Sequence, residues 1–180
     1  MHKAGYVNII GNPNVGKSTL MNAFVGEKLS IITSKAQTTR HRILGIVNGD
    51  DFQAVFSDTP GIIKPAYQLQ NSMMDFVKNA FEDADVLIYM IEIGEKALKD
   101  PHFFKKITNT QQPVLLVINK IDTADQENLE LQVDYWKEQV SNAEVWCISA
   151  TEKFQVSELF NRIVELLPQN PPYFPKDQLT

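Results

Sequence analysis

A three-layer α/β fold, with a six-stranded, mostly parallel sheet between helices on both faces, is what the 180-residue sequence predicts. Three observations predict it. Short runs rich in Val and Ile alternate with longer amphipathic stretches, the pattern of strand–helix–strand units that build parallel sheets. A glycine-rich turn over residues 11–18 leads directly from the first apolar run into a helical stretch. One adjacent pair of runs is separated only by the turn-forming residues Asn48, Gly49, Asp50 and Asp51, which marks one antiparallel hairpin at a sheet edge.

In chain order, strands are expected at residues 6–10, 43–47, 53–56, 86–93, 114–118 and 144–148, each short and β-branched. In the hairpin turn, Gly49 is able to take positive φ. Helices are expected at 17–25, 69–81, 100–108, 126–140 and 156–167. In the second of these, Leu69, Met73, Phe76, Val77 and Ala80 share one face. The third opens on Asp100-Pro101, a cap followed by a proline at the first helical position. Residues 168–180 hold four of the nine prolines and read as an extended linker, so the globular domain is placed at 1–167. Trp136 and Trp146 are expected in or beside the core, and Cys147 as an inert core thiol.

Composition narrows the class. A hydrophobic content of 43% excludes intrinsic disorder, and one cysteine excludes an internal disulfide framework and fits a reducing compartment. The longest apolar runs, 86–91 and 114–118, fall far short of the ~20 residues that span a bilayer. No secretory signal is read at residues 1–10. A formal charge of −5 argues against a general nucleic-acid binder. The expectation is a cytoplasmic domain.

Gly11, Asn12, Pro13, Asn14, Val15, Gly16, Lys17 and Ser18 fit G-x-x-x-x-G-K-[ST] without a mismatch, between a strand and a helix. The glycines let successive N–H groups face a polyphosphate, and the helix N-terminus favours its charge. Lys17 is expected on the β- and γ-phosphates and the Ser18 hydroxyl on Mg²⁺. Asp58-Thr59-Pro60-Gly61 follows 41 residues after Lys17, with Asp58 placed to hold Mg²⁺ through water and the Gly61 N–H to meet a γ-phosphate. Asn119-Lys120-Ile121-Asp122 follows a strand directly. A carboxylate there accepts from N1–H and N2–H₂ of guanine, groups that adenine lacks, so Asp122 is expected to select the base. The Lys120 stem is expected across the base plane, and Asn119 as a tie to the phosphate loop. Ser149-Ala150 ends the next strand, where a small residue lets a backbone N–H approach the guanine O6.

These motifs, in this order and each at a strand end, resemble the P-loop GTPase superfamily over residues 6–167. Within it, residues 28–43, with Lys35, Gln37, Thr38, Thr39, Arg40, Arg42 and Ile43 in a K-x-Q-T-T-R-x-R-I pattern, are similar to the first switch of the Era family of bacterial GTPases. Asn12-Pro13-Asn14-Val15, Asp58-Thr59-Pro60-Gly61 and the tail 173–180 resemble the same family. The resemblance implies the P-loop GTPase fold and slow hydrolysis of GTP to GDP with Mg²⁺. It also implies a following RNA-binding KH domain, whose G-x-x-G loop no pair among the eight glycines here supplies. As partners it implies the guanine nucleotide and, mainly through the KH domain, the small ribosomal subunit and its RNA. Peripheral inner-membrane association of a cytoplasmic bacterial protein is implied by the resemblance alone.

By the same resemblance the catalytic set is Lys17, Thr39 and Gly61, and the Mg²⁺ set Ser18, Thr39 and Asp58, with Thr38 competing for the place of Thr39. The nucleotide set comprises residues 11–18 with Thr19, Asp58, Gly61, Asn119, Lys120, Asp122, Ser149 and Ala150. Ile62 stands where many GTPases carry a water-orienting Gln, so hydrolysis is expected to be slow. Asn14 lies where related proteins hold K⁺, and Arg40 and Arg42 are candidate arginines in cis. Residues 27–42 carry a local charge of +3, read as a solvated loop or an RNA contact, and His41 and His102 read as surface residues. A nucleotide-sensing module whose hydrolysis is incidental is the rival to a hydrolysing switch.

Overall fold

The computed structural model describes residues 1–11, 15–30, 42–58, 84–94 and 107–175. Among these residues seven strands form one sheet in the order β2-β3-β4-β1-β5-β6-β7. They are β1 (Lys3–Ile10), β2 (Leu29–Ser30), β3 (Arg42–Asn48), β4 (Phe52–Asp58), β5 (Val86–Glu92), β6 (Val114–Asn119) and β7 (Ala143–Cys147). The six expected strands are all present, and β3 alone runs against the rest, antiparallel to both β2 and β4. The two-residue β2 escaped the sequence pattern because two residues carry no periodicity. Described helices are α1 (Lys17–Lys28), α2 (Gln126–Gln139) and α3 (Val156–Leu166). Residues 107–109 are helical, at the end of the expected 100–108 helix. The expected helix at 69–81 lies outside the described residues, as does most of that at 100–108.

Two apolar clusters sandwich the sheet, as strands buried on both faces require. One joins Val7, Ile9, Ala54, Phe56, Ile88 and Val117 to Leu20 and Phe24 of α1 and Leu159 and Ile163 of α3. Phe24 meets Phe56 at 5.3 Å and Phe160 at 5.4 Å between ring centroids, so aromatic packing pins α1 behind the phosphate loop. On the other face Leu87, Tyr89, Leu116 and Ile118 pack with Ile107, Trp136 and Val140. Trp136 is fully buried, whereas Trp146 lies partly buried against the first cluster. The Asp125 side chain caps α2 by accepting from the Asn128 N–H at 2.8 Å.

Gly49 does not use the positive φ open to it; its role is room, since a Cβ there would sit 2.1 Å from the Phe52 ring. One expectation needs correction. Cys147 is half-buried against the core and not within it, because among the described residues β7 is an edge strand with only partial cover. Burial pushes its thiol pKa up, which keeps it protonated and weakly nucleophilic at neutral pH.

Residues 168–174 are extended, as expected of the tail, and they lie bound along the start of the sheet. Ala4 N–H donates to the Pro168 carbonyl at 3.0 Å, Asn170 N–H to His2 O at 3.1 Å, and Lys3 pairs with Gln169 in an antiparallel bridge. The fully buried Gln53 of β4 then clamps the strap. Its Oε1 accepts from Tyr173 N–H (2.8 Å) and Phe174 N–H (3.1 Å), and its Nε2 donates to Phe174 O and Asn48 Oδ1, both at 2.9 Å. Tyr173 packs on Tyr6 at 5.0 Å, and Phe174 joins Tyr6 over Ile46 and Val55. Among the described residues no helix is long and apolar enough to cross a membrane.

Gln53→Leu would remove the partner of the part-buried Tyr173 and Phe174 N–H groups and Phe174 carbonyl and is expected to cost about 1–3 kcal/mol. Urea unfolding checks the cost, and faster hydrogen exchange at the Tyr173 and Phe174 amides checks its location.

At the far edge, Arg162 of α3 grips Glu144 of β7 through Nη2 and Oε2 at 2.8 Å. That hydrogen bond holds the Glu144 carboxyl below its ordinary pKa. The stabilisation is therefore present above the ordinary carboxylate range and is lost as pH falls through the lowered value. Arg162→Gln is expected to flatten the acid-side decline in stability by less than about 1 kcal/mol, the pair being partly exposed. Urea midpoints between pH 7 and pH 3 measure it.

Candidate nucleotide site

The parallel strands deliver their carboxyl ends to one rim, where open α/β sheets bind ligands. Register fixes which residues meet there. Ile9 of β1 pairs with Asp58 of β4, so the end of the acidic strand stands beside the start of the phosphate loop. Glu92 of β5 pairs with Asn119 of β6, and Ile118 with Cys147 of β7.

The phosphate loop leaves β1 at Gly11, where a Cβ would sit 2.4 Å from the Met90 carbonyl oxygen. Gly16 has φ +108°, which side-chain-bearing residues rarely adopt. A Cβ on Gly16 would also lie 2.2 Å from Asn119 Nδ2. Leu20 N–H donates to Gly16 O at 2.9 Å, so α1 starts at Lys17. Lys17 Nζ reaches back over the loop to Gly11 O at 3.3 Å. Ser18 and Thr19 lie in the first turn of α1, and Asp58 ends β4. Asn12, Pro13, Asn14, Thr38, Thr39, Gly61 and Ile62 lie outside the described residues, as do Arg40, His41 and His102.

Asn119 joins three loops. It is 3% exposed, its Nδ2 donates to Val15 O at 2.9 Å, and its Oδ1 accepts the Ala150 N–H at 3.0 Å. The tie to the phosphate loop is the one the sequence leads us to expect. The second bond is not expected from sequence, which places only an unspecified backbone N–H of the Ser149-Ala150 turn near the base. Here the buried Ala150 N–H is given to Asn119, as a buried N–H needs an acceptor.

Asp122 lies in a single 3₁₀ turn, Ile121–Thr123, and is exposed. Its Oδ1 accepts from the hydroxyl of buried Ser149 at 2.8 Å. Ser149 thus orients the carboxylate, a role hidden from sequence because the two residues stand 27 positions apart. Lys120 sits in the left-handed region at φ 66°, and its Nζ meets Glu92 Oε2 at 2.6 Å. An open cleft of about 310 Å³ passes Asp122 and Ser149, floored by Ile121, Leu129 and Phe154. Lys17, Asn119, Lys120, Asp122, Ser149 and Ala150 are thus borne on one connected rim.

The residue pattern of the family described as 50S ribosome-binding GTPase matches residues 6–120. The chain belongs to that family. Among its curated relatives, GTPase Era of Staphylococcus haemolyticus is 38% identical over 99% of this chain and 60% of its own length. Two solved structures superpose closely. Era of Aquifex aeolicus, a point variant bound to GDP and AlF₄⁻, has a TM-score of 0.80 at 40% identity, over 99% of this chain and 62% of that one. An Era complex with MgGDPNP and nucleotides 1506–1542 of 16S ribosomal RNA has 0.81 at 39% identity, over 99% and 61%. The chain therefore spans about three-fifths of the length of these relatives.

Asn119→Ala would leave Val15 O and Ala150 N–H buried without partners. A loss of about 2–4 kcal/mol is expected, two orphaned groups at 1–3 each with partial relaxation. Denaturant unfolding without nucleotide measures it, and an unchanged midpoint would contradict the bridging role.

Proposed function

We propose that this chain is the nucleotide-binding part of an Era-type switch, which binds GTP and GDP and hydrolyses GTP slowly. The observation that carries the reading is the Asn119 bridge between the phosphate-loop residue Val15 and Ala150, with Asp122 oriented beside it by Ser149. One buried amide thereby gives a phosphate grip and a base-edge reader a common frame.

In this reading the N–H groups of the phosphate loop, Pro13 having none, and Lys17 bind the β- and γ-phosphates, with Thr19 beside them. Lys17 swings from Gly11 O to the phosphates and stabilises charge that grows on the leaving oxygen. The donor set is hard oxygen, as Mg²⁺ prefers: the Ser18 hydroxyl, Asp58 through water, and Thr39 or Thr38 when GTP is bound. Mg²⁺, when bound, neutralises charge on the β- and γ-oxygens. The register of Ile9 with Asp58 supports this set, since it brings the Asp58 backbone to the end of the strand that feeds the phosphate loop. Gly61 N–H meets the γ-phosphate, so its loss releases both Gly61 and Thr39. Asp122 accepts from the guanine edge, the Lys120 stem lies on its face, and the Ser149–Ala150 turn closes around O6.

Ile62 cannot orient a water by hydrogen bonding, which is why turnover is slow without a partner. K⁺ beside Asn14 would supply part of the missing charge. Turnover is expected to be faster in KCl than in NaCl, with the difference abolished by Asn14→Ala. Equal rates in the two salts would remove K⁺ from the mechanism.

The Era complex with 16S ribosomal RNA supports an RNA partner and a role in small-subunit assembly for the whole protein. A cytoplasmic location and an RNA-holding KH domain are carried by family likeness alone. Peripheral membrane contact rests on family likeness only.

Base selection is the direct test. Asp122→Asn inverts the hydrogen-bond pattern offered to the base. It is expected to weaken GTP by at least tenfold and to favour xanthosine triphosphate. Equal affinity of the parent chain for ATP and GTP would refute the assignment.

A further inference from the structure

We propose that Glu92 is a positioning residue for purine binding: its carboxylate holds the Lys120 ammonium at the end of β5, which aims the lysine stem along the face of the base. The proposal rests on the guanine-site reading above and adds a residue to it that no motif contains.

The geometry begins with the backbone. Lys120 has φ 66° and ψ 31°, a conformation that costs a side-chain-bearing residue free energy and persists only where its surroundings impose it. Several contacts impose it here. Thr123 donates to the Lys120 carbonyl twice, from N–H at 3.0 Å and from its hydroxyl at 2.7 Å. On the other side Ile93 N–H donates to Asn119 O at 3.0 Å, which locks β5 to β6 at the level where Glu92 pairs with Asn119. From that backbone the Lys120 side chain crosses to β5, and Glu92 Oε2 receives its ammonium at 2.6 Å.

The exposure of the pair says what the contact is for. Lys120 and Glu92 side chains are 43% and 41% exposed, so water and salt screen their attraction and the pair adds little to fold stability. Its effect falls on order. A lysine stem has large rotamer freedom, and a ligand that stacks on it must otherwise supply that ordering. Tethering the ammonium orders the stem before the base arrives.

Stem and carboxylate thus divide the work. Asp122, held by Ser149, reads the hydrogen-bonding edge of the base, whereas Lys120 touches its face and is indifferent to edge chemistry. Removing the Glu92 tether should therefore weaken purine nucleotides without changing which one is preferred.

The test uses the 180-residue chain with Glu92→Gln, Lys120→Met and the double variant, measuring dissociation constants and release rates of GDP and IDP. Glu92→Gln is expected to weaken both nucleotides roughly two- to fivefold, through faster release, as befits a partly exposed ion pair. The GDP-to-IDP ratio should match the parent, and the effect should shrink in high salt. In GTP hydrolysis KM should rise with kcat unchanged. Adding Glu92→Gln to Lys120→Met should change nothing further, while thermal melting of the single variant stays near the parent. Parent-like binding by Glu92→Gln overturns the proposal. So does an equal loss in the Lys120→Met background, or an altered GDP-to-IDP ratio. If the parent binds ADP as tightly as GDP, the guanine-site reading fails first and takes this proposal with it.

Discussion

A single carboxamide governs this end of the molecule. Asn119 is buried at the carboxyl end of β6, and its two polar atoms are spent on two other loops, Val15 O on one side and Ala150 N–H on the other. Out of water, each bond is costly to leave unmade, so the three chain segments are held at fixed separation. The glycine at position 16 follows from this. Asn119 Nδ2 fills the space that any Cβ on Gly16 would need, and the turn takes φ +108° to pass it.

Around that bridge the sheet supplies alignment. β1 lies at the centre, with β4 and β5 parallel on either flank, so the ends of several strands open onto one rim. Packing on both faces makes the strands rigid, and the Phe24–Phe56–Phe160 cluster fixes α1 against them. β4 is clamped at its start, where Gln53 holds the C-terminal strap, and its last residue, Asp58, pairs with Ile9 and Arg42. The strap thus covers Ile46 and Val55, which an extended free tail would leave partly bare.

Much of this was legible in sequence, and for definite reasons. The glycine-rich turn between a strand and a helix is local, so its residues and its geometry are contiguous. The same holds for residues 119–122 at the end of β6. Contacts between distant segments were mostly not legible, the Asn119 tie to the phosphate loop being the exception. Ser149 reaches Asp122 across 27 positions, and Lys120 reaches Glu92 across 28, and neither polar residue differs in type from an ordinary surface one. Gln53 looked like a strand residue and proved to be a fully buried clamp. Cys147 looked like core because its neighbours are apolar, but among the described residues β7 has no strand beyond it.

By itself the sequence determined the class of fold, the places where strands end, and the residue types that can grip a phosphate or read a base. These depend on periodicity and on backbone needs that a few adjacent residues express. Only the tertiary structure decided how those residues are aimed. Which carboxylate is oriented, which lysine is tethered and where the tail lies depend on strand register and on hydrogen bonds between segments far apart in the chain. Such bonds form only once the sheet has closed, and no local pattern records them.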